Sequence, residues 1–161
     1  MTTNEKSKAY IQTPLGIAEI TGDENGISVI SIADEGAVSE SIPAVLQEAV
    51  TQIRDYFDAK RSDFTFKMNP QGTEFQQKVW QALLEIPFGK TCSYMDLSKK
   101  LGDVKAIRAV ASANGKNPLW IVVPCHRVIG TDGSLTGYAG GLWRKKWLLE
   151  HENPTNQQSL F

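Results

Sequence analysis

The stretch SYMDLSKKLGDVKAIRAVASANG, residues 93–115, decides the fold of the second half of the chain. Ser93 opens a short run that ends at Gly102, and Asp103 opens a second that ends at Gly115. Ser and Asp side chains accept the free N–H groups of a helix start, and Gly tolerates the backbone that stops one. Two short helices joined by a tight glycine-containing turn predict a helix-turn-helix. Upstream, Thr73 before EFQQKVWQALLEI predicts a capped helix with Phe75, Val79, Leu83 and Leu84 on one face, stopped by Pro87 and Gly89. Downstream, the apolar run LWIVVP (119–124) predicts a strand. A turn at GTDGS, a loop at TGYAGG and a last amphipathic helix, LWRKKWLLEHE (142–152), follow it.

The first half reads differently. Short apolar or alternating runs, YIQTPLGIAEI and GISVISI, are broken by Gly16, Gly22 and DENG, which predicts antiparallel strands joined by hairpins. After Pro43, AVLQEAVTQIRDYFDAK places Val45, Ala49, Ile53, Tyr56 and Phe57 at helical spacing, a face that should cover the sheet. Pro70 and Gly72 mark a boundary. The expected organisation is an N-terminal α/β domain over 1–70, an α-rich helix-turn-helix domain over 71–152 and a flexible polar tail over 153–161.

Composition narrows the function classes. The chain has 161 residues, 41% of them hydrophobic, without an apolar run approaching the roughly 18 residues that a membrane span needs. The opening residues lack a signal-like apolar stretch, so a cytoplasmic protein away from membranes is expected. Net charge is -1, but the halves differ in sign. The first 70 residues carry 6 Lys+Arg against 11 Asp+Glu, and the rest carry 11 against 7. A polyanion would meet the C-terminal part. Cys92 and Cys125 read as free thiols in a reducing compartment, and two cysteines with two scattered histidines do not make a metal site.

Within IVVPCHRVIG (121–130), Cys125 stands directly beside His126. Side chains adjacent in a strand point to opposite faces, so the two need not touch. If the backbone bends at Pro124, a water could link the imidazole to the sulfur and activate it. Glu150 and Glu152 are the carboxylates placed to orient such a histidine. Packing and nucleophilic catalysis both remain open on these residues alone.

Taken together, IPFGKTCSYMDLSKKLG, AIRAVASANGKNP, VPCHRVIG and TGYAGGLWRKKWLLEHE resemble the O6-alkylguanine-DNA alkyltransferase family, over about residues 72–152. The resemblance implies an α/β (α+β) fold: a small RNase-H-like sheet-plus-helix domain, then a winged-helix-like active-site domain. It implies irreversible, single-turnover transfer of an alkyl group from O6 of guanine, and O4 of thymine, in duplex DNA. Cys125 would be the acceptor and His126 the base acting through water, with Glu152 orienting His126, Asn117 steadying the network and Tyr94 meeting guanine N3. Arg108 would fill the stack behind a flipped base, with Ala109, Ala113 and Gly115 letting its helix approach the minor groove. Val128, Tyr138, Ala139 and Gly140 would line the pocket. Some relatives carry serine where this chain has Ala139. Neither metal nor soluble cofactor is implied, and a monomer is expected. Lys90, Lys99, Lys105 and Lys116 are candidate phosphate contacts.

The last five residues, QQSLF, resemble the peptide by which bacterial repair proteins dock on a sliding clamp, with Gln157, Leu160 and Phe161 as anchors. Cys92 has no adjacent base and reads as packing. The main alternative is a non-catalytic module that binds alkylguanine lesions, although such relatives replace the acceptor cysteine. A helix-turn-helix regulator would need a further cysteine-rich part, and a cysteine hydrolase would leave Arg108 and the helix-turn-helix unexplained.

Overall fold

The computed structural model describes residues 6–133, 135, 138 and 140–154. It divides into two compact units, residues 1–71 with Pro118–Trp120, and residues 72–117 with 121–161.

In the first unit, β1 (Ser7–Thr13), β2 (Gly16–Asp23) and β3 (Gly26–Ala33) form an antiparallel sheet in sequential order. Tight turns leave neighbours in the chain as neighbours in space. Ala9, Ile11, Ala18, Ile20 and Ile30 are buried, as alternation predicts. The outer edge of β3 is not left bare: Met68 bridges to Ile27, and Leu119 bridges to Ile30. The Ile30 N–H donates to the Pro118 carbonyl at 2.8 Å, and the Trp120 N–H to the Ile30 carbonyl at 3.0 Å. Thus 118–120, late in the chain, completes this sheet, where an unpaired strand edge would otherwise invite association.

A 3₁₀ turn over Ala44–Leu46 leads into α1 (Gln47–Phe57). Its buried face is Ala49, Val50, Gln52, Ile53 and Tyr56, with Leu46 just before it. Val45, expected on that face, is exposed because the 3₁₀ turn precedes the helix and breaks the period. Buried Gln52 is satisfied at both ends, accepting from the Thr65 N–H and donating to its hydroxyl, each at 2.8 Å.

The second unit is built from helices. α2 (Glu74–Leu84) starts with the expected Thr73 cap, a reciprocal capping box with Gln76. Its buried face is Val79, Trp80, Ala82 and Leu83, while Phe75 in the first turn is exposed. The stripe is therefore rotated from the expected one toward Trp80, whose indole N–H donates to the Ala113 carbonyl at 2.9 Å. A two-residue strand, β4 (Cys92–Ser93), precedes α3 (Tyr94–Lys100), which Ser93 caps in a second reciprocal box with Asp96. Gly102, at φ 89°, makes the turn that a side chain would resist, and Asp103 caps a 3₁₀ turn over Val104–Ala106. α4 (Ile107–Gly115) completes the helix-turn-helix.

The expected strand over 119–124 does not form beyond its single bridge at Leu119. Ile121 sits at φ 62°, a left-handed conformation foreign to strands and rare for a β-branched residue. Pro124 follows at φ -80°, ψ 64°, and the Cys125 N–H donates to the Val123 carbonyl at 2.8 Å, an inverse γ-turn. The apolar run is buried because it is folded into a core turn. A 3₁₀ turn over Cys125–Arg127 comes next, and then β5 (Val128–Ile129), which pairs parallel with β4. α5 (Leu142–Glu152) packs against the Cys125–Arg127 turn. Among the described residues no helix is long and apolar enough to cross a membrane.

Candidate active site

The γ-turn at Pro124 decides how Cys125 and His126 are presented. On a strand they would face opposite ways; on the 3₁₀ turn both side chains enter the interior, Cys125 at 7% exposure and His126 at 0%. His126 Nε2 lies 2.7 Å from Glu152 Oε2. Arg127 donates from Nε to Glu152 Oε1 at 2.7 Å and from Nη2 to Oε2 at 3.0 Å, a two-pronged pairing. Its Nη1 donates to the Ile86 carbonyl at 2.7 Å, and its guanidinium lies 5.7 Å from the Phe88 ring centroid. Asn153 adds a 2.9 Å bond to the Gly89 carbonyl. The loop over 86–89 is thereby stitched to the end of α5.

Burial alone would raise the Glu152 carboxyl, but the charge and hydrogen bond of His126 and those of Arg127 outweigh it and hold it well below the usual carboxylate range. An ionised carboxylate can only accept, so Nε2 of His126 carries the hydrogen. Burial lowers the His126 pKa, opposed in part by Glu152, so the ring is neutral. Nδ1 is then a lone-pair acceptor, and it has no hydrogen-bond partner among the described residues. This is a buried, oriented base.

The Cys125 thiol is raised, chiefly by burial. Opposing influences are a hydrogen bond from Asn117, the positive charge of Lys145 and a hydrogen bond with Tyr138. Asn117 Nδ2 lies 3.3 Å from Sγ and 2.6 Å from the Val123 carbonyl, bracing the γ-turn and the sulfur together. Tyr94 opens α3, and its hydroxyl accepts from Asn114 Nδ2 in α4 at 3.5 Å. The geometry thus brings Cys125, His126, Glu152 and Asn117 into one cluster. Arg127 and Lys145, both buried here, were not anticipated from sequence, nor was Asn114 behind Tyr94.

The outward face of α4 is Arg108, Ala109, Ser112 and Gly115. Ala113, expected among these groove-facing residues, is 3% exposed and packs inside, where its carbonyl receives the Trp80 indole. At i+5 from Arg108 it falls on the opposite side of the helix. The small residue there serves close helix packing instead. Val128 is buried within β5, and Tyr138 and Gly140 are half-buried, with the Gly140 carbonyl accepting from Arg144 at 2.8 Å. Ala139 lies outside the described residues, as do Gln157, Leu160 and Phe161. Glu150, the other carboxylate weighed from sequence, is not the partner of His126. Lys90, Lys99, Lys105 and Lys116 are all exposed. Cys92 is half-buried in β4, and no group of His, Cys, Asp or Glu among the described residues is placed to hold a metal.

Two family signatures match the chain. One, described as "6-O-methylguanine DNA methyltransferase, DNA binding domain", covers residues 74–154; the other, "6-O-methylguanine DNA methyltransferase, ribonuclease-like domain", covers residues 7–70. The chain belongs to the 6-O-methylguanine DNA methyltransferase family. The methylated-DNA–protein-cysteine methyltransferase of Methanosarcina acetivorans is 42% identical over 151 residues, spanning 89% of this chain and 96% of that one. The Mycobacterium tuberculosis enzyme of that name is 50% identical over 110 residues, 68% of this chain and 67% of its own. The crystal structure of the M. tuberculosis O6-methylguanine methyltransferase matches with a TM-score of 0.82 at 38% identity, over 92% of this chain and 93% of that one. The structure of the M. tuberculosis protein in complex with DNA matches at 0.81 and 38%, over 94% and 92%. The methyltransferase fold and the helix-turn-helix are therefore shared along almost the whole chain.

Removing the charge of Glu152 should expose how much the cluster depends on it. Glu152→Gln leaves the buried Arg127 without its counter-charge and is expected to lower stability by on the order of 3 kcal/mol at pH 7 in urea unfolding. A carboxyl with a depressed folded pKa contributes fully above its unfolded pKa, about 4.3, and progressively less below it. The gap between wild type and Glu152→Gln should therefore narrow from pH 7 toward pH 3. A gap independent of pH would contradict the assigned ionisation.

Proposed function

We propose that this chain repairs alkylated DNA by taking a methyl group from O6 of guanine in the duplex onto Sγ of Cys125, each molecule acting once. The observation that carries this reading is the buried Cys125–His126–Glu152 array, with a free Nδ1 on a neutral imidazole, in a member of this family. Nδ1 takes the thiol proton through one water, and Glu152 stabilises the imidazolium that forms. The thiolate then forms the S–C bond as the O6–C bond breaks. The bond pair stays on guanine, which gains one proton, so that thiol hydrogen and methyl have exchanged places. Tyr94 hydrogen-bonds N3 and eases departure of the base. A thioether is a poor leaving group, so the protein is consumed.

Such a thiol cannot meet an alkyl group still stacked in a helix, so the guanine must leave the duplex. Arg108 stands on the outward face of α4 beside Ala109, Ser112 and Gly115, small residues that let a backbone approach a groove floor. Arg108 takes the place of the extruded base, and Tyr138 and Gly140 flank it in the pocket. Entry from the minor groove suits a scanner with little sequence preference, because that groove distinguishes base pairs poorly. Exposed Lys90, Lys99, Lys105 and Lys116 supply phosphate contacts on a unit whose sequence is net positive. The protein acts as a monomer in the cytoplasm, without metal or cofactor.

Intact mass and peptide mapping after mixing with duplex DNA carrying one O6-methylguanine should show one methyl group, on Cys125, per protein, and none in Cys125→Ser. Arg108→Ala should slow transfer from duplex by about a hundredfold while leaving the reaction with free O6-benzylguanine nearly unchanged, since only the former requires flipping. Tight, lesion-selective binding without methyl gain would instead favour a non-catalytic lesion-binding module.

The QQSLF terminus extends the proposal to a second partner, a bacterial-type sliding clamp held by Gln157, Leu160 and Phe161. A chain ending at residue 154 should repair naked duplex at the wild-type rate yet show no clamp binding by calorimetry. Equal clamp affinity for both chains would remove the tail from this role.

A further inference from the structure

α5 carries two charged residues that its neighbours do not expose to water. Lys145 is fully buried and Glu152 is 7% exposed. Seven residues apart, they lie nearly in line on one face of the helix, with Leu148 and Leu149 buried between them. That face packs on the Cys125–Arg127 turn. Its C-terminal end holds His126 and Arg127 through Glu152; two turns earlier it sets a lysine against the side of the cluster that contains the thiol. Burying an ammonium is costly, and a core position on an amphipathic helix would ordinarily take Leu or Met.

We propose that Lys145 is a positioning residue that acts through Cys125, its buried ammonium stabilising the thiolate as the thiol gives up its proton. The inference rests on the alkyl-transfer reading for its purpose, but not for its test. Cys125 and Lys145 influence each other's ionisation in the sense that this pairing requires. Burial lowers the lysine to about 8, and the sulfur opposes that shift. Burial raises the thiol, and the lysine opposes that one. The other charged or titratable groups around the pair are His126 and Arg127 on the turn, Tyr138 on the loop, and Arg144 and Glu152 on α5. Glu152 is engaged by His126 and Arg127, so the positive charge acting on the sulfur is that of Lys145. The arrangement leaves Cys125 a protonated, inert thiol at rest and favours the thiolate only as His126 removes the proton.

The test uses iodoacetamide, with no DNA present. Sulfur displaces iodide, which leaves with its electron pair, while the thiol proton goes to solvent; peptide mapping separates Cys125 from Cys92. Lys145→Met keeps the length and apolar stem and removes the charge. Its Cys125 alkylation rate at pH 7 should fall by about tenfold, the equivalent of one pKa unit, and recover at high pH where the thiolate forms unaided. Because the lysine pKa is lowered by folding, its charged state opposes stability below about pH 8, so the variant should melt no lower than wild type. A folded Lys145→Met with the wild-type pH–rate profile would overturn the proposal. Should that variant fail to fold, the wild type still decides. The Lys145 ammonium, followed by 15N-detected NMR, should titrate at lower pH once iodoacetamide has capped Cys125, and an identical titration before and after would overturn it. Loss of methyl transfer with intact iodoacetamide behaviour would count against the repair reading alone.

Discussion

One buried carboxylate holds the second unit's chemistry together. Glu152 receives two hydrogen bonds from Arg127 and one from His126 while almost wholly removed from water. A lone carboxylate in that position would take up a proton or unfold its surroundings. Paired in this way it remains charged, and the charge fixes the histidine tautomer, anchors the end of α5 and, through Arg127, ties down the Ile86 carbonyl. Structure and reactivity here share one interaction, which is why a change at Glu152 would be felt in both.

The thiol is governed by an opposing set of influences. Burial keeps it protonated, which protects a cysteine whose single use must not be spent on stray oxidants. Asn117, Tyr138 and Lys145 each ease its ionisation without overcoming burial. The nucleophile is therefore latent, and proton removal by His126 is the step that releases it. DNA recognition is placed on a different surface, the outward face of α4, so that a single helix-turn-helix module can scan while the reactive group stays inside.

Much of this was legible in the residues. Thr73, Ser93 and Asp103 each cap where their types predicted, because capping is a local bond between a side chain and the next turn. The three-stranded meander followed from its turn residues for the same reason. The strand expected over 119–124 failed because hydrophobicity reports burial and not backbone conformation; Ile121 in a left-handed turn and Pro124 in a γ-turn leave no periodic trace. Phe75 and Val45 were assigned to buried faces by spacing that cannot tell a helix's first turn from its middle. Arg127 and Lys145 were passed over because a charged residue reads as solvated until its partner is known. The signals were faint but present: an arginine inside the apolar run IVVPCHRVIG, and a lysine seven residues before a glutamate on one amphipathic helix. Pairing Cys125 with His126 was undecidable locally, and the four-motif resemblance carried that step.

The most direct measurement of the account is the protonation state of the His126 ring, read from its 15N chemical shifts in uniformly labelled protein between pH 5 and pH 8. The account predicts a neutral ring throughout, with the hydrogen on Nε2 toward Glu152 and a pyridine-like Nδ1 free to act as a base. A protonated imidazolium at neutral pH, or a hydrogen on Nδ1, would leave Cys125 without its proton acceptor and contradict the central claim.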